Sequence, residues 1–168
     1  WPDYQQGEVA VIFATLFSTP ARWAYAWETY FYKEPKEAQK HYRQQMDLYY
    51  RLTDEHPDKF RFIRSASDLD EVLASQREAD PSGGGYPVCL LLLMEGADCI
   101  LDFSELEEWW DSGLRFIGPA WAGTRFCGGT KEPGPLTPDG HRLLEVMADF
   151  GFTLDLSHMD KVAALESL

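Results

Sequence analysis

Carboxylate and imidazole side chains stand near the ends of two apolar segments. Glu95 comes directly after the apolar run 88–94, while Asp155 and His158 lie in and just beyond the segment 152–156. In parallel α/β folds, ligands bind beyond the C-terminal ends of the strands. Carboxylate oxygen and imidazole nitrogen both suit Zn²⁺, and also Mn²⁺ or Co²⁺. Brought together at one sheet edge, these side chains would form the beginning of a metal site.

The same residues also permit plainer interpretations. Glu95 and Asp98 could be turn or helix-capping residues, and His158 could hydrogen-bond only to the neighbouring backbone. Asp155 could be an outer partner that orients an imidazole ring. The other three histidines fit ordinary positions: a solvent-facing site on a helix, a helix end before a proline, and the first turns of a helix (His41, His56, His141).

Other catalytic motifs are absent from the sequence. It contains no GxSxG, no HExxH, no phosphate-binding loop with its lysine, and no GxGxxG that opens a helix. Gly123, Gly128 and Gly129 are loosely spaced, which predicts a flexible loop rather than a phosphate cradle.

The apolar pattern predicts alternating strands and helices. The expected strands are 8–17, 60–63, 88–94, 114–118 and 152–156; the expected helices are 36–55, 67–76, 104–110 and 138–150, with one more beginning at 159. Segment 8–17 could alternatively be helical. Segment 23–32 is expected as a loop or insertion that could be partly helical, 122–135 as a loop, and 80–85 as a flexible turn. Run 88–94 is apolar throughout, which is typical of a strand covered on both faces. Such alternation predicts a parallel sheet with right-handed crossovers in a single domain, 1–168.

Composition excludes several classes of protein. The formal net charge is −13, which argues against binding to nucleic acid or to anionic lipid. The longest apolar run is far shorter than the roughly 20 residues that span a bilayer, so no membrane segment is expected. The three cysteines are widely spaced and indicate neither a disulfide framework nor a structural zinc site, which makes the cytoplasm the expected location. The first residue is Trp1, so we expect that sequence upstream has been removed.

Several segments resemble the membrane (renal) dipeptidase family. Segment 93–98 (LMEGAD) is similar to the strand end at which that family places a metal-bridging glutamate. Segment 147–158 (MADFGFTLDLSH) is similar to the family's DLSH segment, whose histidine binds metal. Weaker similarities lie in the segments 49–60, 65–69, 106–116 and 134–140.

This resemblance implies part of a (β/α)₈ TIM-type barrel, about strands two to five with their helices. It also implies a metal-dependent dipeptidase with two zinc ions (Mn or Co being alternatives), acting on a dipeptide or a related small amide. Glu95 would bridge both ions and His158 would bind one. Asp98, Trp121 and Asp155 would lie around the ligands or on the substrate side.

Three departures from the family pattern limit these implications. The family's first strand, with its His-x-Asp ligands, would precede this chain, and further ligands would follow it. Many members also carry a THxxN histidine where this chain has Trp121. We therefore expect the isolated chain to be inactive, and its open sheet to require association, for example as a homo-oligomer. The alternatives are a non-catalytic α/β binding module and an amidohydrolase-like hydrolase of a non-peptide amide or lactone.

Overall fold

The computed structural model describes residues 1–78 and 85–168, and most of the turn predicted at 80–85 lies outside these residues. The strands, in chain order, are β1 (Val11–Leu16), β2 (Thr19–Pro20), β3 (Phe31–Tyr32), β4 (Phe60–Phe62), β5 (Val88–Glu95), β6 (Leu114–Gly118), β7 (Cys127–Gly129), β8 (Glu132–Leu136) and β9 (Thr153–Leu154). The helices are α1 (Pro2–Gln6), α2 (Pro35–Glu55), α3 (Ala66–Glu78), α4 (Glu105–Asp111), α5 (Pro138–Phe150) and α6 (Lys161–Glu166).

Five parallel strands form the main sheet. Their order is β1-β5-β6-β9, and β4 pairs with the first half of β5. The predicted parallel α/β sheet is therefore confirmed. Because all five strands run in the same direction, the residues that follow them gather along one edge of the sheet.

Local sequence signals explain the two long helices beside the sheet. Pro35 starts α2, and Glu34 and Glu37 form a reciprocal capping box ahead of a buried stripe of Ala38, Tyr42 and Met46. In α5, the Thr137 hydroxyl accepts a hydrogen bond from the amide of Gly140. The predicted helices 36–55 and 138–150 are confirmed to within one residue.

The two faces of the central strand differ in burial. Leu90, Leu92 and Met94 are at most 1% exposed and belong to the main hydrophobic core with the helices. The alternate residues Leu91 and Leu93 are only partly buried. The prediction of a strand covered on both faces therefore holds at Cys89, which is 0% exposed and packs with Ile63 and Val72, but not at Leu91 and Leu93.

Apolar side chains line the open face of the sheet. Phe13 on β1 is 53% exposed, and its ring lies 5.2 Å from that of Phe116 on β6. Together with Leu93 and Leu154 they form a shallow groove that extends to Asp155. The groove crosses β1, β5, β6 and β9 and reaches the residues that follow β9.

The glycine-rich segment 122–135 differs from its prediction as a loop. It contains an antiparallel hairpin, β7–β8, in which Cys127 pairs with Leu136 and Gly129 with Glu132. A Cβ atom on Gly128 would lie only 2.1 Å from the amide nitrogen of Gly134, so the two strands can approach this closely only because residue 128 has no side chain.

The observed bounds of other elements differ from the predicted bounds by a few residues. Segment 23–32, also predicted as a loop, contributes the end of a short 3₁₀ turn (Ala21–Trp23) and β3. Strand β9 is shorter than the predicted 152–156, and α6 begins at Lys161 rather than at 159. No helix in the two described ranges combines the length and apolar character needed to cross a membrane.

Candidate metal centre

Glu95 is the last residue of β5 and is paired with Gly118, the last residue of β6. The backbone that follows it turns sharply at Gly96, whose φ of 83° is readily adopted only by glycine. The hydroxyl of Tyr42, which is 2% exposed on α2, donates to the carbonyl oxygens of Glu95 at 2.7 Å and of Gly96 at 3.0 Å. Helix α2 therefore holds the backbone that carries the Glu95 side chain.

His158 follows β9 through a tight turn. The Asp155 amide donates to the Ile117 carbonyl at 3.0 Å, and the Asp155 carboxylate accepts a hydrogen bond from the Ser157 amide at 2.9 Å. His158 itself has a φ of 65°, in the left-handed region that non-glycine residues rarely adopt. A conformation of this kind costs about 1–3 kcal/mol and is concentrated at functional sites.

The two predicted ligands meet across Gly118. His158 Nε2 lies 3.0 Å from Glu95 Oε1, with side-chain exposures of 37% and 25%. Strand β6 separates β5 from β9, and its terminal residue has no side chain to stand between the two groups. The predicted convergence of carboxylate and imidazole at one sheet edge is therefore observed.

Burial raises the pKa of Glu95, the proximity of His158 opposes this rise, and Asp155 adds to it. The Glu95 carboxylate therefore loses hydration in the folded chain, and a positively charged neighbour stabilises its ionised form. A protonated imidazole or a metal cation would supply that charge.

The β7–β8 hairpin brings a hydroxyl group to the other side of His158. Thr130 Oγ1 lies 3.1 Å from His158 Nδ1. The Thr130 amide donates to the Trp121 carbonyl, and the Asp160 amide donates to the Gly128 carbonyl, both at 3.0 Å. Thr130 follows glycines that predict flexibility, and its 28-residue separation from His158 left no signal in the sequence.

The three remaining predicted site residues lie around this pair. Asp155 shapes the turn before His158. The Trp121 ring lies beside the histidine: its centroid is 6.3 Å from that of the His158 ring and 5.3 Å from that of the Phe17 ring. Asp98 accepts a hydrogen bond from the Tyr32 hydroxyl. Burial raises the pKa of Asp98, and the Tyr32 hydrogen bond opposes that rise.

His41 differs from its predicted solvent-facing position. Its Nδ1 lies 2.8 Å from the Ser18 hydroxyl, and its ring stacks on Tyr30 at 4.1 Å, so it is half-buried between α2 and the segment after β1. His56 caps the C-terminus of α2, as expected. The three cysteines are buried free thiols.

The donor set fits part of a metal site. Carboxylate oxygen and imidazole nitrogen are both ligands for Zn²⁺, and they converge here within hydrogen-bonding distance. Within residues 1–78 and 85–168, no group of three or more histidine, cysteine or acidic side chains is placed to hold a metal ion. Within these residues Glu95 and His158 are therefore a pair of potential donors, which is fewer than a metal ion needs.

Three solved structures share the fold. The dipeptidase AC, a metallo peptidase of family M19, superimposes with a TM-score of 0.77 at 20% identity, covering 99% of this chain and 50% of that one. The probable dipeptidase PvdM from Pseudomonas aeruginosa superimposes with a TM-score of 0.76 at 19% identity, and the match covers 97% of this chain and 41% of that one. A metallo peptidase from Rhodobacter sphaeroides, liganded with a phosphinate mimic of the dipeptide L-Ala-D-Ala, gives 0.75 at 19% identity, covering 96% and 50%.

These likenesses confirm the predicted fold class, a parallel α/β sheet corresponding to part of a TIM-type barrel. The chain spans half the length of these relatives or less. The sequence of residues 2–168 also matches the membrane dipeptidases, peptidase family M19. Since that match extends over nearly all of its residues, the chain belongs to the membrane dipeptidase family.

Proposed function

We propose that this chain carries part of the active site of a metal-dependent dipeptidase, with Glu95 and His158 as zinc ligands. The observation that carries the proposal is the 3.0 Å approach of His158 Nε2 to Glu95 Oε1 beyond the ends of parallel strands. Family membership supports it, because this family consists of metallopeptidases.

The chain's own residues have distinct parts in this proposal. When bound, zinc supplies Lewis-acid polarisation of the substrate carbonyl and an activated water. Glu95 presents a carboxylate, which can bridge two cations, and His158 a neutral imidazole nitrogen. Trp121 and Phe17 place aromatic rings beside His158, with the centroid of the Trp121 ring 5.3 Å from that of Phe17 and 6.3 Å from that of His158, and these rings would contact an apolar part of a substrate.

Two protein ligands do not complete such a site. Catalytic zinc normally has about three protein ligands, and the chain spans half or less of its relatives' length. We therefore assign the activity to a protein in which further ligands join Glu95 and His158, and we expect this chain alone to hydrolyse no dipeptide.

The proposed substrate class is a dipeptide. The Rhodobacter sphaeroides relative was solved with a mimic of L-Ala-D-Ala, which supports a dipeptide with a D-residue at its C-terminal side. The indole of Trp121, 6.3 Å from the His158 ring, favours a second candidate, an apolar non-peptide amide or lactone hydrolysed at the same centre.

Hydrolysis by the full-length protein tests the proposal. L-Ala-D-Ala, L-Ala-L-Ala and a panel of apolar amides and lactones are incubated with the zinc-loaded protein, with and without a chelator. We expect chelator-sensitive dipeptide hydrolysis that is lost in Glu95→Ala and His158→Ala but kept in Glu107→Ala and His141→Ala, which alter exposed helical positions. Activity that survives the chelator or either ligand substitution would contradict the proposal, and activity on amides or lactones alone would favour the second candidate.

A further inference from the structure

The Thr130 hydroxyl contacts the ring nitrogen of His158 that faces away from Glu95. Nδ1 lies 3.1 Å from Thr130 Oγ1, while Nε2 lies 3.0 Å from Glu95 Oε1. The imidazole is therefore held at both ends by groups from different parts of the fold. An ionised carboxylate can only accept a hydrogen bond, so Glu95 favours the ring proton on Nε2, whereas the Thr130 hydroxyl can pair with Nδ1 in either tautomer.

A hydroxyl can serve both tautomers of the ring, because it can donate or accept a hydrogen bond. With the proton on Nε2, the ring donates to the Glu95 carboxylate, and Nδ1 accepts from Thr130. With Nε2 free to bind a metal, the proton lies on Nδ1 and is donated to Thr130. The ring can therefore change tautomer without rotating and without losing its partner at Nδ1.

The hairpin fixes the position of that hydroxyl. The Thr130 amide is bonded to the Trp121 carbonyl, Gly129 pairs with Met159 next to the histidine, and the Gly128 carbonyl accepts from the Asp160 amide. The hairpin thus contacts the backbone on the C-terminal side of His158 at two points. These contacts place the ring and the hydroxyl in a fixed relation.

We propose that Thr130 is a positioning residue that fixes the ring orientation of His158 in either tautomer and so strengthens it as a metal ligand. This inference rests on the proposed function for its metal, but the contact itself can be tested without metal. Partners of this kind typically change metal affinity by about 10–100-fold when removed.

The variants Thr130→Val and Thr130→Ser separate the hydroxyl from the shape of the side chain. Valine keeps the shape and removes the hydroxyl, whereas serine keeps the hydroxyl. Thr29→Val, at an exposed position in the segment before β3, is the matched control. Thermal unfolding of each variant shows whether the fold is retained.

Two measurements on the full-length protein decide the matter. Nitrogen NMR of ¹⁵N-histidine-labelled, metal-free protein reports the hydrogen bonding of both ring nitrogens of His158, whose resonances are assigned by their absence in His158→Ala. Zinc affinity is measured by competition with a chromophoric chelator. We expect Thr130→Val to shift the Nδ1 resonance of His158, which loses its hydrogen bond, and to weaken zinc binding about tenfold or more, while Thr130→Ser and Thr29→Val resemble the wild type.

An unchanged Nδ1 resonance in Thr130→Val would overturn the proposal, as would a Thr130→Ser variant whose resonance and zinc affinity differ from those of the wild type. If the wild-type protein bound no zinc, the proposed function would fail. The metal-free NMR comparison would still decide whether Thr130 holds the His158 ring.

Discussion

Removal of a single buried hydroxyl at Tyr42 is expected to weaken both the fold and the proposed metal site. The Tyr42→Phe substitution keeps the ring, which is part of the main core, and deletes only the group that donates to the carbonyls of Glu95 and Gly96. No cavity larger than one oxygen atom is created, so the measured effect reports mainly the hydrogen bonds.

The magnitude follows from the burial of this contact. A net hydrogen bond contributes about 0.5–1.5 kcal/mol, and a buried acceptor left without its donor costs about 1–3 kcal/mol. Because Tyr42 is only 2% exposed, water cannot readily replace the lost donor. We expect the free energy of unfolding to fall by about 1–3 kcal/mol.

Urea unfolding measures the loss, and Tyr49→Phe is the matched control. The Tyr49 hydroxyl, on the same helix, donates to the Thr15 carbonyl at 3.1 Å, but its side chain is only half-buried. Its removal should cost less than about 1 kcal/mol. Zinc affinity should fall in Tyr42→Phe and not in Tyr49→Phe, because only Tyr42 holds the backbone of Glu95. Equal losses of stability in the two variants, or unchanged zinc affinity in Tyr42→Phe, would refute this reasoning.

Three further predictions concern the sheet edge and the hairpin. A Cβ at Gly118 would lie 3.5 Å from Asp155 Oδ2, so the methyl groups of Gly118→Val should crowd Asp155, which shapes the turn before His158. This variant should weaken zinc binding, measured by chelator competition, more than Gly118→Ala does. Gly128→Ala should cost about 1–3 kcal/mol of stability in urea unfolding through steric overlap, whereas Gly134→Ala, whose Cβ would meet its nearest neighbour at 3.7 Å, should be tolerated. Burial raises the pKa of the Asp98 carboxyl in the folded chain, so the folded state binds a proton there more tightly than the unfolded state does. The stability that this protonated carboxyl contributes is therefore lost as the pH rises through the pKa of the folded state. Asp98→Asn should therefore gain stability relative to the metal-free wild type as pH rises from acid to neutral; a relative gain towards acid pH instead would contradict that assignment.

The elements that follow from short-range rules were predictable from the sequence. The apolar pattern predicts helix α2 at 36–55, one residue short of its observed start, and it predicts β6 with the bounds that the structure has. The direction of the strands followed from the alternation of elements. Parallel strands then required Glu95 and His158 to lie at the same edge, although their contact across Gly118 depends on the strand order.

Features that depend on long-range contacts were not predictable. The β7–β8 hairpin was interpreted as a loop because glycine normally indicates flexibility, whereas Gly128 permits a close approach to Gly134 that only the folded chain reveals. The contact of the Tyr42 hydroxyl with the Glu95 carbonyl spans 53 residues, so no local pattern in the sequence predicts it. The sequence predicts a solvent-facing His41, because its partner Ser18 lies 23 residues away, between β1 and β2.

Zinc binding by single and double ligand variants tests the central claim most directly. The metal content and zinc affinity of the full-length protein are compared with those of Glu95→Ala, His158→Ala and the double variant, with His141→Ala as control. If the two residues share one metal, each single substitution should weaken zinc binding strongly, and the double variant should be little worse than either, because ligands of one site are not additive. Unchanged zinc binding in either single variant, or fully additive losses in the double variant, would contradict a shared centre.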